Sequence, residues 1–220
     1  MIAILSCVWQ RPERLSYTLG QLAKQTNKDF GLYLINNNCE LDKEVYKQAG
    51  KLPFVKKIIQ NRVNRGPYAR LEAMVKLKTE VDYFMTLDDD CIFDETLVEQ
   101  WADYADEDAI QGWAGFKFNG ADYWQKERVK PGERCDYLWG SNLFLPASAV
   151  EPVFANLHPR YWQADDLWLV FCAQMYAKLD CRAANIKGLD IRVDGKDTYT
   201  GQFEVKSELL NKLRTKGWAV

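Results

Sequence analysis

The chain has 220 residues, 47% of them hydrophobic and 27% charged, which is enough for one substantial core. Its 29 Lys and Arg against 31 Asp and Glu leave a formal charge of -2, so no overall basic field draws it to nucleic acid or an anionic membrane. Six singly scattered cysteines and one histidine argue against a zinc site, and no apolar run approaches the roughly 18 to 20 residues that span a bilayer.

In chain order, IAILSCVW (2–9) is a continuous apolar run that Arg11-Pro12 breaks, the pattern of a strand buried on both faces. Pro12 suits a first helical turn, and Leu15, Leu19 and Leu22 give an apolar stripe down to about Thr26. FGLYLI (30–35) is a second strand, ending in Asn36, Asn37 and Asn38. A polar helix over 41–50, a short strand over 55–60, a helix over 67–78 and a strand in VDYFMTL (81–87) follow. Strand and helix therefore alternate through the first 90 residues, which predicts right-handed crossovers and a largely parallel sheet covered by helices.

The second half changes character. Asp94 is placed to N-cap a helix carrying Leu97, Trp101 and Tyr104, and strand-like segments follow at 109–118 and 135–146. Residues 164–178 read as a mostly buried helix, and 203–216 as an amphipathic one with Leu209, Leu210 and Leu213 inward. The basic residues Lys206, Lys212, Arg214 and Lys216 could touch an anionic acceptor, although a solvated helix face is the plainer explanation. With no repeat or linker, the whole of 1–220 is expected to form one domain. Cysteines in apolar runs and the absence of a signal-peptide pattern predict a reducing, cytoplasmic setting with at most peripheral membrane contact.

The candidate chemistry gathers at predicted strand ends, where open sheets of this kind bind ligands. Three aspartates, Asp88, Asp89 and Asp90, follow an apolar strand. If the chain stays extended, Asp88 and Asp90 project to one side and Asp89 to the other. Such a pair suits a hard divalent cation that also takes phosphate oxygens, although an acidic turn before the Asp94 helix is the plainer explanation of three acids in a loop. Asp165 and Asp166 open a helix, where acids complement the dipole, but two in succession after Tyr161, Trp162 and Gln163 also fit the edge of a wet pocket. NRGPYAR (64–70) is a glycine-proline turn flanked by Arg62, Arg65 and Arg70, offering cations and backbone N–H groups to phosphate. No P-loop, dinucleotide fingerprint or nucleophile elbow is present, and His158 precedes Pro159 without a nucleophile nearby. Of the eight tryptophans, most belong to the core by default, while one or two beside the acids would offer a flat platform to a sugar.

ILSCVWQRPERLSYTLGQLAKQT, FGLYLINNN, NRGPYARLEAM, YFMTLDDDCIF, WGSNLFLPASAV and QADDLWLVF, in that order, resemble the GT-A-type glycosyltransferases, particularly the family 2 group that uses nucleotide-sugar donors. The resemblance covers nearly all of residues 1–178. It implies an α/β, Rossmann-like three-layer α/β/α sandwich with a mostly parallel central sheet. Residues 1–90 would be the nucleotide-binding half, 91–180 the acceptor half and 181–220 a lid or docking segment.

By the same resemblance, Ser6, Cys7, Val8, Arg11 and Arg14 with Asn36 and Asn37 would hold base and ribose, and Arg65 and Arg70 the ribose or diphosphate. Asp88 and Asp90 match the DXD pair, with Asp89 beside the nucleotide and Asp90 the direct ligand of Mn2+ or Mg2+ on the diphosphate. Asp166 or Asp165 matches the general base of inverting members. Gly140, Ser141 and Asn142, with Trp139 and Trp162, would lie near sugar or acceptor. The implied reaction is metal-dependent, inverting sugar transfer from a nucleoside diphosphate sugar, UDP-sugar first, to an acceptor hydroxyl. That acceptor could be a glycan, lipid-linked precursor, protein, small molecule or modified DNA base.

Asparagines stand where many members carry a base-holding aspartate, and no late histidine supplies a metal ligand, leaving Asp194 and Asp197 as substitutes. A sugar nucleotidyltransferase and an inactive sugar- or partner-binding domain remain the alternatives.

Overall fold

The computed structural model describes residues 1–192 and 202–220; Asp194 and Asp197 lie outside the described residues. The first half follows the apolar periodicity closely. Strands β1 (Ile2–Val8), β2 (Phe30–Asn36), β3 (Val55–Gln60) and β4 (Tyr83–Thr86) alternate with helices α1 (Pro12–Ala23), α2 (Asp42–Ala49) and α3 (Ala69–Leu77). After a short β5 (Cys91–Ile92) come α4 (Leu97–Asp103), β6 (Ala109–Gly112), β7 (Gly115–Phe118), β8 (Lys126–Arg128), β9 (Tyr137–Leu138) and β10 (Leu143–Pro146). The remainder is α5 (Asp165–Met175), β11 (Asp180–Ala183), β12 (Asp190–Ile191) and α6 (Phe203–Arg214).

The main sheet has seven strands in the order β11-β6-β10-β4-β1-β2-β3. β1 pairs in parallel with β2 and β4, and β2 with β3. β10 is antiparallel to both neighbours, β4 and β6, while β11 is parallel to β6, so β10 alone runs against the other six.

Alternation along the strands feeds two cores, because successive side chains leave opposite faces of a strand. Ala3, Leu5, Tyr33 and Ile35 join α3, α5 and α6 on one face. Ile2, Ile4, Leu32 and Leu34 join α1, α2 and α4 on the other. This is an α/β/α sandwich on a mostly parallel sheet.

The second-half strands depart from the expectation. Both 109–118 and 135–146 divide between two sheets: β6 and β10 enter the main sheet, while β7 and β9 form a three-stranded sheet with β8. The break at Trp113–Ala114 carries the chain from one sheet to the other, and flanking glycines allow it. A Cβ on Gly112 would stand 2.9 Å from Leu143 Cδ2, and one on Gly115 2.9 Å from Ala183 Cβ. Asp94 does not cap α4, which begins too far along the chain. It accepts from Thr96 N at 2.9 Å, and Gln25 of the α1 end accepts the amide of Val98 at 2.9 Å. Among the described residues no helix is long and apolar enough to cross a membrane.

Candidate functional site

The carboxyl ends of β1, β2 and β4 open on a cleft of about 700 Å³. β1 contributes Cys7 and, just beyond its end, Trp9, Gln10 and Arg11; the turn after β2 contributes Asn37; the turn before α3 contributes Asn64, Gly66 and Pro67. The reversed direction of β10 brings its entry, Trp139, Gly140 and Ser141, to the same rim.

Asp88, Asp89 and Asp90 lie in a turn, closed by the amide of Cys91 donating to the carbonyl of Asp88 at 3.3 Å. The expected extended alternation therefore does not hold, because β4 ends at Thr86. Each carboxylate instead has its own surroundings. Asp89 takes a two-pronged bond from Arg11, Nε to Oδ2 at 3.0 Å and Nη2 to Oδ1 at 2.5 Å, with Arg14 Nη1 4.0 Å away. Asp88 receives Arg70 Nη1 at 2.5 Å.

Asp90 Oδ1 is buried with no hydrogen-bond partner among the described residues. Burial, then the charges of Asp88 and Asp89, raise Asp90 to about 7, and burial raises Asp89 to about 6 against the pull of Arg11. A buried anion with an unused oxygen beside two others is a site that a divalent cation relieves. The residues present thus fit Mn2+ or Mg2+. Among the described residues no group of three or more Asp, Glu, His or Cys converges to hold a metal, so most of the shell would come from diphosphate oxygens and water, as Mg2+ commonly takes them.

Across the cleft, Asp165 and Asp166 begin α5 and are each about 4% exposed. Arg70, 2% exposed, bridges the two sides: its Nη2 donates to Asp165 at 3.0 Å, its Nη1 to Asp88, and its Nε to the carbonyl of Pro67 at 3.3 Å. Burial raises Asp165 to about 6, opposed by Arg70 and reinforced by Asp166.

Asp166 differs. Burial pushes it up, but Lys206 at 2.9 Å and the hydroxyl of Tyr137 outweigh that and hold it below the usual carboxylate range. The amide of Leu167 also donates to its Oδ1 at 2.9 Å. Gly140 is required here by close approach, because a Cβ on it would stand 2.7 Å from Asp166 Cβ.

Of the expected site residues, Cys7, Arg11, Asn37, Arg70, Asp88, Asp89, Asp90, Trp139, Gly140, Ser141, Asp165 and Asp166 line the cleft. Ser6 and Val8 do not; they lie buried within β1. Arg14 is buried behind Asp89. Asn36 donates to Asp42 at 2.7 Å and accepts from Asn38 N, fixing the turn rather than facing the cleft. Arg65 pairs with Glu72 at 2.7 Å and stacks over Trp162 at 5.1 Å, behind the Gly66 turn. Trp162 in turn stacks on Tyr68, with ring centroids 5.3 Å apart. Asn142 is fully buried, accepting from Trp101 Nε1 at 2.7 Å and donating to Thr86 O at 2.9 Å. Its amide holds β4 and β10 in place, and the residue is not among those that line the cleft.

Asn37 lines the cleft with its amide committed: Nδ2 donates to Gly66 O at 2.9 Å and Oδ1 accepts from Asn61 at 2.9 Å. It shapes the wall through Gly66, whose φ of +58° only glycine adopts freely.

Asn64 and Gln163, from the NRGPYAR turn and the stretch before the α5 acids, line the cleft as well, and so do Trp9, Gln10, Ile191, Gln202 and Lys206. Lys206 overturns an expectation: it is buried, not on a solvated face. The signal was available, because Lys206 precedes Leu209, Leu210 and Leu213 by three, four and seven residues and so shares their stripe.

Comparison with known proteins agrees with this geometry. TarS of S. aureus shares the fold at 14% identity with a TM-score of 0.59, the match covering 96% of this chain and 40% of that one. A TarS 1-349 structure in complex with UDP matches at 13% identity and TM-score 0.61, covering 86% and 59%. The mannosyltransferase PcManGT from Pyrobaculum calidifontis, in complex with GDP-Man and Mn2+, matches at 10% identity and TM-score 0.65, covering 95% and 63%. The chain thus spans less than two thirds of the length of these proteins. No curated protein sequence matches it significantly. Residues 3–162 match the family described as glycosyl transferase family 2, and with most of its length so matched the chain belongs to that family of sugar-transferring enzymes.

Proposed function

We propose that the cleft performs metal-dependent, inverting transfer of a sugar from a nucleoside diphosphate sugar, UDP-sugar first, to an acceptor hydroxyl. One observation carries this reading: Asp90, with a buried oxygen that has no partner among the described residues, lines the same cleft as a second pair of acids, Asp165 and Asp166. The family membership supports sugar transfer, and solved structures of the fold include complexes with UDP, UDP-GlcNAc, and GDP-Man with Mn2+.

Asp90, with Asp88, would hold Mn2+ or Mg2+; bound there with the diphosphate, such an ion supplies Lewis-acid stabilisation of the departing nucleoside diphosphate. Arg11 holds Asp89, and Arg70 fixes Asp88. The turn at Asn64–Gly66 and the end of β1 at Cys7–Arg11 form the wall for base and ribose. On the opposite side the carboxylates that begin α5 accept the proton of the attacking hydroxyl, Asp166 ionised through its contacts and Asp165 beside it. Trp139 and Gly140 line the same cleft, Gly140 against Asp166, and would lie near the sugar. A reducing cytoplasmic compartment is part of the same reading, supported by six free thiols.

Calorimetric titration with UDP, GDP, CDP and TDP, with and without Mn2+, tests it on wild type and Asp90→Ala. Metal-dependent binding of one nucleoside diphosphate that the variant loses is the expected result. Failure of all four to bind would overturn the reading.

A further inference from the structure

Asp166 is a carboxylate in the protein interior, and a carboxylate there reverts to the neutral acid unless charge and hydrogen bonds hold it. Its neighbour shows the pull of burial: Asp165 is raised to about 6, chiefly by burial and with Asp166 adding to it, even with Arg70 as its donor. Besides Tyr137, the largest part of the difference at Asp166 is the charge of Lys206, which lies outside the region that carries the family match, ending at residue 162. α6 lies well beyond it. Its apolar stripe of Leu209, Leu210 and Leu213 packs into the core, and the same stripe carries Lys206 inward to place Nζ 2.9 Å from Asp166 Oδ2.

The helix that delivers this ammonium is fixed on both sides. Arg160 and Tyr161 bond to Glu208, the latter at 2.6 Å. Arg214 donates to the carbonyls of Gly120 and Ala121 at 2.9 and 3.0 Å.

We propose that Lys206 is a positioning residue for sugar transfer, locking the Asp166 carboxylate against Tyr137 and supplying the counter-charge that lets it remain an anion inside the protein. The inference rests on the reading of Asp166 as an acceptor-side base. The groups facing Asp166 are Lys206 of α6, Tyr137 of β9 and, one bond further, Tyr123, whose hydroxyl is 2.9 Å from that of Tyr137. Lys126 of β8 feels both Asp166 and Lys206, and Asp165, with Arg70 of α3 behind it, completes the set. Without Lys206 no other cation in this set bonds to Asp166. Its carboxylate would then take up a proton in the neutral range and lose its power to accept one from a hydroxyl.

The test is 13C NMR of Asp carboxyl carbons across pH 5 to 8 in the whole chain, with Asp166→Asn assigning the resonance. In wild type the Asp166 signal is expected to show no titration step in that range. In Lys206→Met it is expected to titrate there, moved up by about one unit or more, as loss of a close opposite charge does; Lys206→Arg restores the wild-type trace. A wild-type step inside the range, or no movement in Lys206→Met, overturns the proposal. If Lys206→Met does not fold, the wild-type trace and Lys206→Arg still decide it.

A lysine with a merely structural role would change stability and leave that titration in place. Calorimetry with nucleoside diphosphates and Mn2+ on the same samples separates the two levels: loss of nucleotide binding in wild type sinks the glycosyl-transfer reading, whereas the Asp166 trace alone judges Lys206. Where donor turnover is measurable, Lys206→Met is expected to lower kcat about tenfold or more at pH 6, with recovery toward pH 8 and little change in donor KM.

Discussion

Replacing Gly140 by alanine adds one methyl group at the most closely packed point of the cleft. That carbon would stand 2.7 Å from Asp166 Cβ and 3.4 Å from Cγ and Oδ2, whereas carbon atoms in contact sit about 3.5 to 4.0 Å apart. One side must therefore yield by about 1 Å. Neither is free to do so: Thr86 Oγ1 donates to the carbonyl of Gly140 at 3.0 Å, and Asp166 is held by Lys206, Tyr137 and its own helix. Backbone strain is not involved, because Gly140 is not among the positive-φ glycines. Overpacking of this kind costs about 1 to 3 kcal/mol, which in a chain of this size lowers Tm by roughly 2 to 12 °C. Turnover should fall by more, on the order of 100-fold, since a misplacement of about 1 Å at a reacting group costs that much. Thermal unfolding and release of nucleoside diphosphate from donor measure the two effects. A Gly140→Ala protein with unchanged Tm and turnover within about twofold of wild type would refute the close-approach argument.

Arg70→Met leaves the buried Asp165 and the partly exposed Asp88 without their shared cation and should destabilise by about 3 to 5 kcal/mol in denaturant titration; a loss under about 1 kcal/mol would show the bridge to be dispensable. Asn142→Ala strands Trp101 Nε1 and the Thr86 carbonyl, at about 1 to 3 kcal/mol for each group, and the folded variant should bind nucleotide like wild type; a selective loss of binding with stability intact would return Asn142 to the ligand site. Lys126 carries the pH prediction. Burial, then the charge of Lys206, lowers it to about 7, while in the unfolded chain it titrates near 10.4. Between those values the unfolded chain holds a proton that the folded one has released, so stability rises with pH from about 7 upward. Chemical denaturation of wild type and Lys126→Met at several pH values checks this, and equal slopes in the two proteins would contradict it.

The first half of the fold was legible because β1 and β2 are buried on both faces and the helices carry a single apolar stripe, so that IAILSCV and FGLYLIN announce themselves by length, while the partly exposed edge strand VKKIIQ follows from the alternation of strand and helix. The second half was not, because β6, β7, β9 and β10 are two to four residues long, and such segments carry no period of their own. They are defined by which sheet they join, a tertiary matter. The site shows the same division. Asp88 to Asp90 and the two acids of α5 stood out as acids at element ends, but what each touches depends on the turn at 88–91. The arginines mislead in one direction: Arg14, which the resemblance places beside base and ribose, lies buried 4.0 Å from Asp89, and Arg65, whose charge suits a phosphate, pairs with Glu72. Lys206 misled in the other, since a basic residue in a helix of mixed charge reads as solvated until its spacing from the leucines is counted.

The lone reversal of β10 also decides how the molecule could be held. Because that strand enters where its neighbours exit, Trp139 to Ser141 join the cleft rim, and β10 exits at the far end, where the amide of Ala147 donates to the carbonyl of Asp82 at 2.8 Å. The connections entering β3, β4 and β6, around 51–54, 79–82 and 105–108, share that far end, on the side away from the acids. A linker grafted into one of these connections would anchor the protein to a bead or an electrode with its cleft facing the solution, making the sheet's polarity a built-in guide for oriented immobilisation.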